Sequence, residues 1–414
     1  MRRSLAFVLC LVALVLAGCG AGNDQNDPPK PINITPGVAQ AEPIAPTNAA
    51  IEPTIAYDGT RTHLVYCQNG GAANHDLMYC QRVGGGTFSA PAALFAASTN
   101  DSRRPHCALD SAGNLHVVWV EGTAPNRDIM YCTRSTAGVI SSASNLSNTV
   151  GQDENNPRIH IDVAGRLHIV WEGSTPPPSP TSAAFYCRTV GSVFASPVAM
   201  PFGMSGISGE MPDVGTDADQ HVYVVWSESV GPNRIIRMMR SDDNGANFNN
   251  IGGGTAVGGT ADKTEPRIVC GLLGEVVLTF VAQNTAGDRA LFGCNTQTGG
   301  TFTDPVVLFN STTGGVRSPS ISRFRQSDGV RVIAVAFNDG AAGGGNILVK
   351  TSRDGGFSWP GDPVDLSIGN SEPSTNRTPA TALDDNELIL AWAGQPMGGG
   401  VVRSFTSANT YGIP

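Results

Sequence analysis

One frame recurs seven times along this chain, and that repetition limits what it can fold into more than any single motif does. One copy reads Pro105-His-Cys-Ala-Leu-Asp110-Ser-Ala-Gly113-Asn-Leu115-His-Val-Val-Trp119, and the next reads Pro157-Arg-Ile-His-Ile-Asp162-Val-Ala-Gly165-Arg-Leu167-His-Ile-Val-Trp171. The frame begins at Pro53, Pro105, Pro157, Pro212, Pro266, Pro319 and Pro379, at spacings of 52, 52, 55, 54, 53 and 60 residues. Its second apolar run ends on an aromatic each time: Tyr66, Trp119, Trp171, Trp226, Phe280, Phe337 and Trp392. An aspartate follows the proline by five residues in five copies (Asp58, Asp110, Asp162, Asp217, Asp384).

Each unit reads as a four-stranded antiparallel blade. Proline opens the first strand, where a missing N–H costs least. Asp-x-x-Gly makes the turn, with glycine supplying the special backbone angles. The second strand is almost wholly apolar (Leu115 to Trp119, Val222 to Trp226), as expected when both faces pack on neighbours. A third strand follows (Ile129 to Arg134, Phe185 to Arg188), then a fourth (Pro91 to Leu94, Pro305 to Leu308). A lone blade cannot bury two apolar faces, so blades stack radially until a ring closes. The expected fold is an all-β propeller of seven four-stranded blades, with six blades and a cap as the alternative. The seventh frame lacks an outer strand, and Pro31-Ile-Asn-Ile-Thr35 is the apolar stretch expected to fill it by pairing the two termini.

The N-terminal segment predicts export. Arg2 and Arg3 precede an apolar run from Leu5 to Leu16, too short and too abruptly ended for a transmembrane helix. Leu16-Ala17-Gly18-Cys19 resembles the bacterial lipobox, which implies a signal peptide over 1–18 and a lipidated Cys19. With Gly20 next, and no aspartate to retain the protein at the inner membrane, the outer membrane is the expected anchor in a Gram-negative cell. Residues 19–46, polar and proline-rich, read as the lipidated cysteine and its flexible tether, and 47–414 as the propeller. The formal charge of −9 becomes −11 once Arg2 and Arg3 leave. An acidic surface without a basic stripe argues against nucleic acid, so the expected partners are the bilayer and a glycan or envelope protein. The chain is expected to be a monomer without cofactor or metal.

Two turns carry a recognisable signature. Ser352-Arg-Asp354-Gly-Gly356-Phe-Ser358-Trp359 matches the Asp-box pattern in full, and Ser241-Asp-Asp243-Asn-Gly245-Ala-Asn-Phe248 matches it with phenylalanine last. On these residues the whole domain resembles the sialidase superfamily and its Asp-box relatives. The resemblance implies that the boxes are structural and that any substrate sits over the central axis on the opposite face. Asp243-Asn-Gly245 lacks the ligand spacing of a calcium loop.

Cys80, Cys132, Cys187 and Cys294 share a third-strand position, aligned with Met238 and Val349, which marks it as buried packing. Cys67 and Cys80 are the one candidate disulfide. His63, His116 and His168 also share a frame position, replaced by Tyr223 in the fourth copy, which argues for structure over chemistry.

The axial geometry implied by the resemblance gathers Glu52, Arg103, Arg104, Glu210, Glu265, Arg317 and Arg377 from the strand entries, and Glu121, Glu172, Glu228 and Asp339 from the exits. Arg104, Glu121, Glu172, Glu210, Glu228, Glu265 and Arg377 are the principal candidates. Guanidinium groups would hold a carboxylate and paired acids would do glycosidic acid–base work. Working sialidases use three arginines, a Tyr–Glu nucleophile pair and an aspartate, the first arginine lying in Phe/Tyr-Arg-Ile-Pro. Here the nearest string is Ser102-Arg103-Arg104-Pro105, and Arg158 and Arg267 follow their prolines instead of preceding them. A glycan- or protein-binding platform is therefore the leading expectation, ahead of a divergent sialidase-like glycoside hydrolase and of an envelope scaffold without a ligand.

Overall fold

The computed structural model describes residues 42–43, 50–69, 74–84, 86–95, 100–149, 151–174, 182–200, 208–272, 274–284, 287–325, 329–340, 345–367, 378–383, 387–394 and 401–408. Residues 1–18, Cys19, Pro31–Thr35 and Arg377 lie outside them.

Among the described residues all regular structure is strand. The frame starting at Pro53 folds as Ala50–Tyr57, Arg61–Asn69, His75–Val83 and Ala92–Ala93, hydrogen-bonded in that order. The same up-and-down order recurs in the sheets opened by Ser102–Leu109, Gly209–Thr216, Lys263–Cys270 and Val316–Arg325, each of four strands. The sheet opened by Glu154–Ile161 departs from the pattern and has five: Val193–Phe194 and Val198–Ala199 both pair Ser182–Val190. In the last frame Ala380–Leu383, Glu387–Gly394 and Val401–Ala408 are followed by Glu42–Pro43, which pairs Val401–Ala408 through Glu42↔Ser404 and Pro43↔Arg403. The N-terminal strand seen beside this frame is Glu42–Pro43.

The sheets are numbered here by frame, one to seven. Their second strands are the buried heart of the fold, as their apolar runs predict: Leu64 to Cys67, Val117 to Val120 and Val222 to Trp226 are all at most 1% exposed. Successive side chains point to opposite faces, so alternate residues join different cores. Val118 and Val120 pack toward sheet three, while Val117 and Trp119 pack toward sheet one. Among the described residues seven apolar clusters result, each shared by two neighbouring sheets. One of them joins Ile55, Leu64 and Tyr66 of sheet one to Ile389 and Ala391 of sheet seven. The architecture is a β-propeller.

Two sequence readings need correction. Cys67 and Cys80 cannot form a disulfide, because they sit on opposite faces of sheet one: Cys67 packs against sheet two and Cys80 against sheet seven. Both are free thiols, like the other described cysteines, and burial pushes the Cys67 thiol well up. The register also moves the shared cysteine column by one residue. Cys132 faces Val117 and Cys187 faces Ile169, two before the aromatic, and the residues so placed in sheets four and six are Met239 and Lys350. The position is still buried, but in sheet six it holds a lysine whose ammonium bonds the Gly361 carbonyl.

Candidate functional site

Each of the first six inner strands carries the same irregularity at its entry. The residue before the frame proline takes a left-handed backbone in all six: Glu52 (φ 53°), Arg104 (52°), Asn156 (51°), Met211 (52°), Glu265 (56°) and Ser318 (50°). The strand register shifts at the same place, as in a β-bulge. A side chain in this region costs roughly 1–2 kcal/mol, so six such residues in phase need support from outside their own strands. Carboxylates of the preceding sheet provide it at three of them. Glu52 accepts the Arg104 N–H at 2.7 Å, Glu172 the Met211 N–H at 3.3 Å and Glu265 the Ser318 N–H at 2.5 Å. Bulges are over-represented beside active sites because they re-aim side chains, and here they ring the mouth of an axial cavity of about 580 Å³ lined by all seven inner strands.

The residue after each proline decides what the cavity can do. In four sheets it accepts a backbone N–H from the next inner strand and latches neighbour to neighbour. Thr54 Oγ1 accepts from Cys107 at 3.2 Å, His106 Nδ1 from Ile159 at 3.2 Å, Asp213 Oδ2 from Ile268 at 3.0 Å and Ser320 Oγ from Thr381 at 3.2 Å. The corresponding residues of sheets three and five are Arg158 and Arg267. A guanidinium has five donors and no acceptor, so neither can make the latch. Both line the cavity instead, as do Arg104 and Arg317. Among the described residues neither Arg158 nor Arg267 forms an ion pair, and the Nη1 of Arg267 donates to its neighbour's carbonyl, Pro266 O, at 2.7 Å. Burial, with Arg267 adding its charge, pulls the Arg158 guanidinium down to about 9. Burial likewise raises the Asp213 carboxyl, against the pull of Arg267 and Arg158. Burial holds the His106 ring well below the usual histidine range, so it stays neutral.

The acids expected at this face are divided by the structure. Glu265 lines the cavity but is committed to Arg289 at 2.6 Å as well as to Ser318. Glu121, Glu172, Glu210 and Glu228 are not among the lining residues, although Glu172 holds Asn156 and Met211, which are. Glu121 accepts the Trp119 indole N–H at 3.0 Å, and Glu210 meets Arg234 at 3.1 Å. Glu228 is wholly buried against Arg237 at 2.9 Å, and its second oxygen has no partner among the described residues. Arg104 is the most exposed of the candidates at the cavity, 42% exposed, paired loosely with Glu52 at 3.9 Å and steadied by the Asn155 and Asn156 carbonyls at 2.7 Å each. Arg158, Arg267, Asp213 and His106 were not among the principal candidates. The column after the proline, read down the frames as Thr, His, Arg, Asp, Arg, Ser, Ala, is the signal that singles out the two arginines.

The opposite end of the sheets repeats a different cluster. His63, His116 and His168 bond Tyr79, Tyr131 and Tyr186 at 2.9, 2.7 and 2.7 Å. Their other ring nitrogens face the turn aspartates Asp58, Asp110 and Asp162 at 3.9, 3.4 and 3.3 Å. In sheet four Tyr223 reaches Asp217 directly at 3.0 Å. The Asp boxes turn at this end too, Ser241 lying opposite Val222. Ser241 Oγ accepts the Gly245 N–H at 2.8 Å while Asp243 accepts that of Asn247 at 2.8 Å. Ser352 and Asp354 do the same for Gly356 and Ser358, both at 2.9 Å. Phe248 packs edge-on to Tyr186, and the Trp359 indole donates to Gly356 O at 3.1 Å. Each box satisfies its own turn.

No family model matches the chain, and no curated protein does. Solved structures do. A Hadza microbial sialidase, Hz136, superposes with a TM-score of 0.52 at 13% identity, covering 83% of this chain and 76% of that one. The fold is that of a sialidase-like β-propeller. An unknown-function protein from Dyadobacter fermentans (TM-score 0.53, 11% identity, 89% and 97% coverage) and the polysaccharide lyase Uly1 (0.53, 10%, 90% and 92%) share the propeller. At such identities the likeness is one of fold, and a fold hosts many activities.

Proposed function

We propose that this protein is an envelope lipoprotein, anchored through Cys19 and the tether to residue 46, whose propeller is a recognition platform for carboxylate-bearing glycans. In this reading the seven sheets are the blades of one ring, latched by Glu42–Pro43, and the ligand enters the axial cavity. The observation that carries it is the exchange at Arg158 and Arg267. At this position four sheets use an acceptor to hold the ring, and these two forgo that hydrogen bond to present guanidinium groups without carboxylate partners among the described residues. Arginine forks match a carboxylate in two hydrogen bonds. Binding is favoured over glycoside hydrolysis because Glu52, Glu172 and Glu265 already hold backbone N–H groups of the bulges and are not free for proton transfer.

The test is calorimetric titration with 3′-sialyllactose, an oligogalacturonate and neutral lactose. The intact chain should bind at least one acidic sugar tenfold or more above lactose. Charged hydrogen bonds are worth about 1.5–3 kcal/mol each, so the Arg158→Met, Arg267→Met double variant should lose on the order of a hundredfold. Equal affinity for acidic and neutral sugars would overturn the reading, and release of free monosaccharide would turn it toward the hydrolase.

A further inference from the structure

A second cavity of about 580 Å³ lies between sheets four and five, away from the axis. Its origin can be read by comparing sheets. The outer strand or its end sends one apolar residue into the core shared with the next sheet: Leu94, Leu146, Met200, Val257, Leu308 and Leu366 in sheets one to six. In sheets one and five a phenylalanine follows this plug and lays its ring on the terminal aromatic of the next sheet, whereas a serine, Ser147 or Ser367, follows it in sheets two and six. Phe95 meets Trp119 at 5.3 Å between centroids, and Phe309 meets Phe337 at 5.2 Å. Sheet four has Val257, then Gly258. Phe280 therefore receives no ring from sheet four among the described residues, and it stacks only on Phe292 of its own sheet, at 5.6 Å. The cavity opens there, bounded by Val257, Gly258, Phe280, Phe292 and Phe302.

One cation faces this aromatic space. Lys263 lines it, 6% exposed, and its ammonium donates to Ala261 O at 2.9 Å, leaving two donors. Burial lowers its pKa, with Asp262 opposing. Asp304 also borders the cavity, but from its exposed, solvent-facing side.

We infer that this cavity is a binding site for a small aromatic acid, whose ring takes the place that Phe95 and Phe309 fill elsewhere and whose carboxylate meets Lys263. The molecule itself specifies the ring, since two of its own sheets complete the same junction with a phenyl group. The buried ammonium specifies the charge.

The test uses the full chain and fluorine NMR with 4-fluorobenzoate, with neutral 4-fluorobenzamide as the second probe. Benzoate should bind more tightly than the amide, and Gly258→Phe should weaken it at least tenfold by filling the space. The Gly258 backbone lies outside the left-handed region, and an added Cβ would meet only Thr255 Cγ2 at 3.5 Å, so the glycine is not required for folding. Gly258→Val is the milder second variant and should weaken binding by a smaller factor. Lys263→Met should bring benzoate down to the level of the amide. The axial variant Arg158→Met, Arg267→Met should leave both probes unchanged, which separates this site from the axial one. No binding, binding indifferent to both Gly258 variants, or binding lost in the axial variant would each overturn the proposal.

Discussion

The two ends of the same strands have been treated very differently. At the turn end the repeat is kept in side chains: aspartate, histidine and tyrosine recur in sheets one to three with the same contacts, and the Asp boxes close their own hairpins. At the axial mouth the repeat is kept in the backbone, with the same left-handed residue and the same register shift, while the side chains change from sheet to sheet. Repetition of side chains marks what every sheet needs to stand. Variation on a fixed, strained backbone marks where sheets have been released to do something else.

If that contrast holds, the largest single effect on stability should come from the turn end. Asp162 accepts the backbone N–H groups of Ala164 and Arg166 and pairs both Arg166 and His168. Asp162→Ala removes the partner of two part-buried or buried bases and should cost about 3 kcal/mol, read by chemical denaturation, with axial sugar binding intact in the folded fraction. A loss of binding greater than the loss of folded protein would break the comparison. The next effect should be of opposite sign. Arg267→Thr supplies an acceptor for the inner strand of sheet six, as Thr54 does for sheet two, so stability should rise by about 1 kcal/mol while affinity for an acidic sugar falls about tenfold. A variant that is both less stable and equally avid would show that Arg267 is structural.

The third effect is a slope. Burial pulls His160 down to about 4, and burial also lowers His63, His106, His116 and His168. An unfolded histidine titrates near 6.5. Between pH 6.5 and 4 the unfolded chain therefore binds protons that folded His160 refuses, so stability falls as the pH drops through that window. One such group contributes at most about 1.4 kcal/mol per pH unit. His160→Gln should flatten the slope there and leave stability above pH 7 close to the parent's. An unchanged slope would mean that the other histidines or the carboxylates set it.

Much of this was legible beforehand, for a physical reason. Prolines at strand entries, the Asp-x-x-Gly turns and the second-strand aromatics act within a few residues of themselves, so the frame predicts the sheets. The mouth was harder, because its bonds cross between sheets. Nothing local to Glu52 says that it will hold the N–H of Arg104, or that Glu265 will hold that of Ser318. Glu52, Glu172 and Glu265 were therefore expected to face a ligand when they support bulges. Arg158 and Arg267 stood out in sequence only as misplaced relatives of a sialidase motif, and their meaning came from what Thr54, His106, Asp213 and Ser320 do at the same place. The Cys67–Cys80 pairing failed because adjacency along a hairpin says nothing of which face each residue takes.

The cluster shared by sheets one and seven has a consequence for how the chain is made. Ile55, Leu64, Tyr66 and Cys80 emerge early from the ribosome, and their partners Ile389 and Ala391 follow more than 300 residues later. Until then one flank of the first sheet is a bare apolar wall, the kind of surface on which half-made chains aggregate. Contacts of such long sequence separation form late and slowly. Until the seventh frame arrives that flank of sheet one stays uncovered, which makes its early folding a hazard to the nascent protein.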